Sequence, residues 1–188
     1  MKFAPYFGNK IFIFLLKDKY YNFMVWWKHL LVFFFFFTLW EGVAWFTHKY
    51  VMHGFLWTLH KDHHTPKYSR FEMNDLFGLA FAFLSIYLIV SGSVELDWRF
   101  SAGLGIAGYG AAYFFVHDIF VHQRVPWFKR TQNPYLMALR KAHKIHHKSL
   151  VKEDGEAFGF LFVHAKYWPK KSTEPSMESS FKTSKSTL

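Results

Sequence analysis

Three long apolar stretches constrain the fold of this chain more than any other feature of its sequence. They run from about Met24 to Phe46, from Leu76 to Val94 and from about Phe100 to Val116. A helix needs about 20 residues, at about 1.5 Å each, to cross a hydrocarbon core of about 30 Å. The second stretch meets that length without a charged residue, and the third is slightly shorter. The sequence therefore predicts an all-α fold, an integral membrane helical bundle.

Charged residues predict how the stretches are connected and oriented. Glu95, Leu96 and Asp97 form a short acidic turn between the second and third stretches, which are therefore predicted to form a helical hairpin. The basic residues near the other ends of the hairpin are Lys61, Lys67, Arg70, Arg124, Lys129, Arg130, Arg140, Lys141, Lys144, Lys148 and Lys152. By the positive-inside rule, these ends are predicted to face the cytoplasm.

The N-terminal segment conflicts with this orientation. A complete first span would place Lys10, Lys17, Lys19 and Lys28 on the opposite side. Either residues 11–16 belong to an additional in-plane or partial element, or the geometry of the site overrides the charge bias. Within the first stretch, Glu41 is expected to face protein or water, because a charge at the bilayer centre costs several kcal/mol.

Composition divides the chain into three parts and excludes several functions. Residues 1–23 are predicted to be a basic, interfacial extension, residues 24–168 the membrane domain, and residues 169–188 a disordered tail with too little apolar surface to fold. The net charge of +10 lies mainly at the ends of apolar stretches, which favours membrane lipids over nucleic acid as the partner. The absence of cysteine excludes disulfides, cysteine-ligated clusters and thiolate-ligated haem.

Ten of the twelve histidines form one pattern that is written twice, as H-x4-H, a spacer and H-x2-H-H. The first copy is His48, His53, His60, His63 and His64, and the second is His117, His122, His143, His146 and His147. Because histidine is the commonest protein metal ligand, the doubled set predicts a site for two metal ions. The hairpin returns the chain to one side, so the two copies can meet. Outside the pattern, His29 is predicted to be interfacial and His164 structural.

The spacings leave the assignment of ligands to metals open. Histidines three and four residues apart share a helix face, whereas five residues turn an α-helix by about 140°. The H-x4-H pairs therefore ligate either from a helix end or across two neighbouring metals. An all-nitrogen site suits zinc, iron, copper or nickel. The polar residues considered as partners for the histidine rings are Asn74, Asp75, Asp118, Asp62 and Glu72.

A glycine motif in the third stretch points to packing rather than to a nucleotide. Residues 103–108 match G-x-G-x-x-G, but a dinucleotide site needs a preceding strand, which an apolar span does not provide. The small residues Gly103, Ala107 and Ala111 are instead predicted to allow close helix packing.

The residues around the histidines resemble the fatty acid hydroxylase superfamily of membrane di-iron oxygenases, and within it the bacterial β-carotene 3-hydroxylases. The matching segments are HKYVMHG at 48–54, H-x-x-HHTP at 60–66, FE-x-NDL at 71–76, VHD at 116–118, VHQR at 121–124, AH-x-x-HH at 142–147 and FGFL at 158–161. The likeness covers roughly residues 24–168 with its spacings intact.

The resemblance implies a monooxygenase of the bacterial inner membrane that adds hydroxyl groups at C3 and C3′ of β-ionone rings, converting β-carotene through β-cryptoxanthin to zeaxanthin. It implies two iron ions held by the ten histidines, O2, a carotenoid substrate dissolved in lipid, and electrons from a ferredoxin-type donor. Candidates for lining a substrate tunnel are Trp45, Phe46, Tyr113 and Phe114. The alternatives are a fatty-acyl or sterol hydroxylase of the same superfamily and a non-enzymatic metal-binding or metal-transport membrane protein.

Overall fold

The computed structural model describes the backbone of residues 5–65, 71–125 and 130–169, and side chains within these ranges from Met24 onward. The predicted tail, apart from Pro169, lies outside the described residues, as do Lys67, Arg70 and Lys129. The elements are α1 (Pro5–Phe46), a first π-helix (Thr47–Phe55), α2 (Trp57–His64), α3 (Asp75–Ser93), α4 (Trp98–Phe114), a second π-helix (Phe115–Val121), α5 (Pro134–His146) and a 3-10 turn (Ala165–Tyr167).

Within the described part of the chain, three helical segments are long and apolar enough to cross a membrane: Met24–Phe55, Asp75–Ser93 and Trp98–Val121. No strand occurs in the described ranges, so the prediction of an all-α bundle with three spans is confirmed. Helix α1 has 42 residues and is therefore about 63 Å long, twice the thickness of a hydrocarbon core. The backbone of residues 11–16 belongs to this helix, not to a separate element. The interfacial position of residues 1–23 stays a prediction.

Helices α3 and α4 form the predicted hairpin. At its turn Leu96 has a φ of 49°, and the Asp97 side chain caps α4 by accepting a hydrogen bond from the backbone N–H of Arg99 at 2.9 Å. Near the other helix ends the two copies of the histidine pattern come together. The hairpin thus explains how residues almost 100 positions apart reach one site.

Glycines let α4 approach both of its neighbours closely. A Cβ atom on Gly103 would lie 2.8 Å from the carbonyl oxygen of Ser85 in α3, and one on Gly105 would lie 2.5 Å from that of Phe33 in α1. The packing predicted for Gly103 is therefore found, but that for Ala107 and Ala111 is wrong, because both are exposed. A single row of small residues would pack against only one helix, whereas α4 packs against both α1 and α3.

The core lies toward the histidine ends of the spans. Trp40 and Ala44 of α1 pack there with Ile106 and Tyr109 of α4 and with Phe160 from the segment after α5. Outward-facing apolar side chains on α3, such as those of Phe83, Tyr87 and Val90, are exposed, as expected for helices in contact with lipid. At the opposite end, Nδ1 of His29 lies 2.6 Å from Oγ of Ser101 and joins α1 to α4.

Candidate metal centre

All ten histidines of the doubled pattern come together at one end of the spans. Eight of them form two clusters of four, and within each cluster one ring nitrogen per residue lies within 4.8 Å of the others. His64 joins the first cluster, with Nε2 3.1 Å from Nε2 of His60, and His117 joins the second, 3.2 Å from Nε2 of His63. We call His48, His53, His60, His64 and His146 the first group, and His63, His117, His122, His143 and His147 the second group.

The π-helices explain the H-x4-H spacing. In a π-helix each backbone hydrogen bond joins residues five apart, so residues i and i+5 stand over one another. The N–H of His122 donates such a bond to the carbonyl of His117 at 2.8 Å. The ring centroids of this pair are 4.5 Å apart, and those of His48 and His53 are 5.3 Å apart. Each pair therefore lies within one group, although an α-helix would have turned its members apart.

Each group takes four histidines from one copy of the pattern and one histidine from the other copy. His63 belongs to the first copy but lies in the second group, and His146 belongs to the second copy but lies in the first group. Helical geometry explains the exchange, because residue i+4 lies about 40° from residue i and residue i+3 lies about 60° away on the other side. The middle histidine of each H-x2-H-H motif therefore turns toward the neighbouring group.

In the first group every outer ring nitrogen faces an oxygen atom. The Nδ1 contacts are His48 with the carbonyl of Phe158 at 3.0 Å, His53 with that of Lys152 at 3.1 Å, His60 with Oδ1 of Asn74 at 2.7 Å, His64 with the carbonyl of Ser149 at 2.9 Å and His146 with that of Glu156 at 2.9 Å. Because these oxygens accept hydrogen bonds, each Nδ1 carries the hydrogen. Each Nε2 is left with its lone pair directed inward.

Carboxylates face two rings of the second group. Nδ1 of His63 lies 2.7 Å from Oε2 of Glu72, and Nδ1 of His117 lies 3.3 Å from Oδ2 of Asp118. Arg124 joins these carboxylates, at 3.3 Å from Glu72 and 3.0 Å from Asp118. Carboxylate–histidine pairs of this kind orient metal ligands and raise their basicity.

Of the five polar residues that the sequence offers as partners for the histidine rings, Asn74, Asp118 and Glu72 contact such rings. Asp75 instead accepts a hydrogen bond from the backbone N–H of Glu72 at 3.1 Å and pairs with Arg124 at 3.2 Å. Asp62 accepts a hydrogen bond from the N–H of Met73 at 2.8 Å. Its other oxygen is buried with no partner among the described residues.

The electrostatics of both groups fit bound cations. Burial lowers the pKa of His60 to about 3 and that of His122 to about 2, so these rings are neutral at pH 7. In the first group the outer nitrogen of each ring holds the hydrogen, so the inner Nε2 atoms present only lone pairs to one another, yet those of His60 and His64 lie 3.1 Å apart. Nε2 of His147 is buried and has no hydrogen-bond partner among the described residues. A metal ion would satisfy these nitrogens.

The sequence predicts that Glu41 faces protein or water, but it does not predict that Glu41 lies near the histidine groups. The Glu41 side chain is buried and accepts hydrogen bonds from Tyr109 and from the backbone of residues 156–162, the segment that covers the first group. In that segment the ring of Phe158 lies 5.0 Å from the ring of His53, and Phe160 stacks on His48 at 5.0 Å. An acidic residue inside an apolar span was the only signal for Glu41.

An apolar cavity of about 610 Å³ lies between α1, α3 and α4 and reaches His117. Tyr113 and Phe114, two of the predicted tunnel residues, line it. Trp45 lines a second cavity, of about 560 Å³, which His117 also lines. Phe46 lines neither of these cavities and is exposed.

The chain is similar to a protein family and to individual proteins whose names describe the same kind of enzyme. The sequence profile of the fatty acid hydroxylase family matches residues 33–168. The chain is 44% identical over 126 residues to a beta-carotene hydroxylase of Pseudescherichia vulneris, covering 65% of this chain and 70% of the relative. It is 36% identical over 124 residues to a beta-carotene hydroxylase of a Paracoccus species, covering 65% and 76%.

A plant relative is similar over the same length. The chain is 38% identical over 130 residues to the chloroplastic beta-carotene 3-hydroxylase 2 of Arabidopsis thaliana, covering 67% of this chain and 42% of the relative. No solved structure matches the chain significantly.

Proposed function

This chain belongs to the fatty acid hydroxylase family, and we propose that it is a membrane di-iron monooxygenase that hydroxylates the β-ionone rings of carotenoids at C3 and C3′. The relatives of this chain confirm the prediction that it is a hydroxylase enzyme. This reading takes the place of the alternative that the chain is a metal transporter. The choice of substrate rests on the similarity to beta-carotene hydroxylases, and an apolar cavity that reaches from the membrane-spanning helices to His117 supports an apolar substrate.

The two histidine groups are the proposed ligands of two iron ions. Iron bound there would supply the activation of O2, with one oxygen atom entering the substrate C–H bond and the other leaving as water after delivery of two electrons and two protons. The chain supplies ligand orientation, since the Nδ1 hydrogen bonds fix the rings. Asn74 and Asp118 have this orienting role in the proposal.

The aromatic residues around the groups are proposed to exclude water. Phe160 is buried between the rings of Tyr113, His48 and His117, at centroid distances of 4.5, 5.0 and 5.6 Å. A dry pocket keeps the reacting carbon away from competing solvent chemistry. These rings therefore separate the apolar cavity from the histidines while leaving His117 on its wall.

The cavity suits one end of a long apolar molecule dissolved in lipid. Its volume lies within the range of about 300–1,000 Å³ that is typical of small-molecule sites. Its walls in the spans are formed by residues such as Ile86, Ile106, Ala107 and Gly110. A β-ionone ring in this cavity would lie near the histidine end, while the polyene remained among lipid chains.

The orientation of the protein in the membrane is also part of this proposal. Lys141, Lys144 and Lys148 are exposed on and just after α5, next to the histidine groups. By the positive-inside rule this end would face the cytoplasm of a bacterial inner membrane. A ferredoxin-type donor would supply electrons from that side, and residues 24–168 would form the hydroxylase domain.

The experiment is expression of the chain in cells that accumulate β-carotene, with separation of the pigments by liquid chromatography. The wild type is expected to form zeaxanthin through β-cryptoxanthin. His63→Ala and His146→Ala should abolish both products while the protein accumulates, and His164→Ala, which changes a histidine outside both groups, should not. Unchanged carotene together with hydroxylated fatty acids or sterols would replace the proposal with the other hydroxylase class.

A further inference from the structure

Glu41 is a carboxylate inside a membrane-spanning helix, and the structure surrounds it with hydrogen-bond donors. Its Oε1 accepts from the backbone N–H groups of Phe160, Leu161 and Phe162, each at 3.0 Å. Its Oε2 accepts from the hydroxyl of Tyr109 at 2.7 Å. Three successive amides that converge on one oxygen form an anion-binding nest.

The segment held by this nest, residues 156–162, covers the first histidine group. Its carbonyl at Phe158 accepts the hydrogen bond from Nδ1 of His48 at 3.0 Å, and its carbonyl at Glu156 accepts that from Nδ1 of His146 at 2.9 Å. The Phe158 ring also lies 5.4 Å from the rings of both histidines. The rings in the second group that face carboxylates, His63 and His117, do not depend on this segment for those contacts.

We propose that Glu41 is a positioning residue for the first group, since it fixes the segment whose carbonyls orient His48 and His146. This inference rests on the proposed two-ion centre. Glu41 in α1 precedes His48, near the start of the first π-helix, by seven residues, so one continuous helical segment supplies both a ligand and the anchor for that ligand's hydrogen-bond partner. Loss of the anchor should therefore weaken one metal site selectively.

The test measures iron binding rather than turnover. Purified full-length protein in detergent is titrated with Fe(II), and the number and affinity of the sites are determined for each variant. In Glu41→Leu the first group should bind iron about 10–100-fold more weakly, the usual effect of removing a partner that orients a ligand, and the second group should be unchanged. His48→Ala identifies which site is the first group.

Two further variants separate positioning from folding. Glu41→Gln should restore most of the affinity, because its amide oxygen can take the place of Oε1 in the nest. Gly159→Ala should weaken the same site as Glu41→Leu, since its Cβ would lie 2.9 Å from the carbonyl oxygen of Phe162. Tyr109→Phe removes one donor but leaves the nest and should bind both ions normally.

The outcomes distinguish the inference from the function on which it rests. Wild-type affinity at both sites in Glu41→Leu and Gly159→Ala would overturn the role of Glu41. Equal weakening of both sites would also overturn it, because that is the result of general destabilisation. If Glu41→Leu does not accumulate, Gly159→Ala and the Gln variant decide. A wild-type protein that binds no iron would refute the metal centre itself and this inference with it.

Discussion

Replacement of Gly105 by alanine tests the packing that holds α1 against α4. The added Cβ would lie 2.5 Å from the carbonyl oxygen of Phe33 and 3.1 Å from Cβ of Phe36. The first distance is about 0.9 Å shorter than the 3.4 Å at which ordinary contact begins. Because the obstructing atom belongs to the backbone, a rotamer change cannot relieve the clash, and the helices have to separate.

The size of the effect follows from this displacement. Overpacking of a closely packed interior costs about 1–3 kcal/mol. In a chain of this size each kcal/mol lowers the melting temperature by about 2–4 °C, so Gly105→Ala should melt about 2–12 °C below the wild type. The first π-helix, which continues α1, carries His48 and His53. Since a shift of about 1 Å can lower a reaction rate about 100-fold, hydroxylation should fall as well.

The assay is thermal unfolding of detergent-solubilised protein, followed by circular dichroism. The matched control for stability is Gly110→Ala in the same helix, where an added Cβ would meet no atom within 4 Å. Replacing glycine by alanine in an open helical position stabilises by up to about 1 kcal/mol, so the control should melt at or slightly above the wild-type temperature. Equal melting temperatures for the two variants would refute the close approach of α1 and α4.

Two other substitutions test the centre and the cavity. Asn74→Leu leaves Nδ1–H of His60 without its acceptor and should weaken iron binding at the first group about 10–100-fold in the same Fe(II) titration. Asn74→Asp keeps an acceptor oxygen and should restore the affinity. Undiminished affinity in the Leu variant would contradict an orienting role of Asn74. Ala107→Phe places a ring in the apolar cavity and should lower zeaxanthin formation at least about tenfold with both irons retained, whereas Ala111→Phe, on an exposed face of α4 outside the cavity, should not. Equal product from these two variants would show that the substrate does not enter there.

The spans, the hairpin and the gathering of the histidines could be predicted from sequence because each depends on patterns close together in the chain. Hydropathy identified α3 to within about one residue at each end. The acidic turn after α3 predicted that α4 runs back in the opposite direction. The family likeness could also be read directly from the residues around the histidines. None of these predictions needed knowledge of side-chain packing.

The internal arrangement of the site could not be predicted in the same way. The H-x4-H spacing points apart on an α-helix, and only the π-helical backbone brings His117 and His122 together. The partner of Glu41 is a loop about 120 residues further along the chain, and its backbone amides carry no sequence signature. The error at Ala107 has a similar cause, since the packing face of α4 depends on where its two neighbours lie.

The exchange of His63 and His146 between the groups has a consequence for biosynthesis. A ribosome makes the first copy of the pattern long before the second, so the emerging chain holds four ligands of the first group and lacks His146. His146 is made only after the hairpin, near the end of α5. The order of synthesis thus delays completion of either histidine group until α5 has been made, so neither proposed ion site has its full set of ligands in a shorter chain.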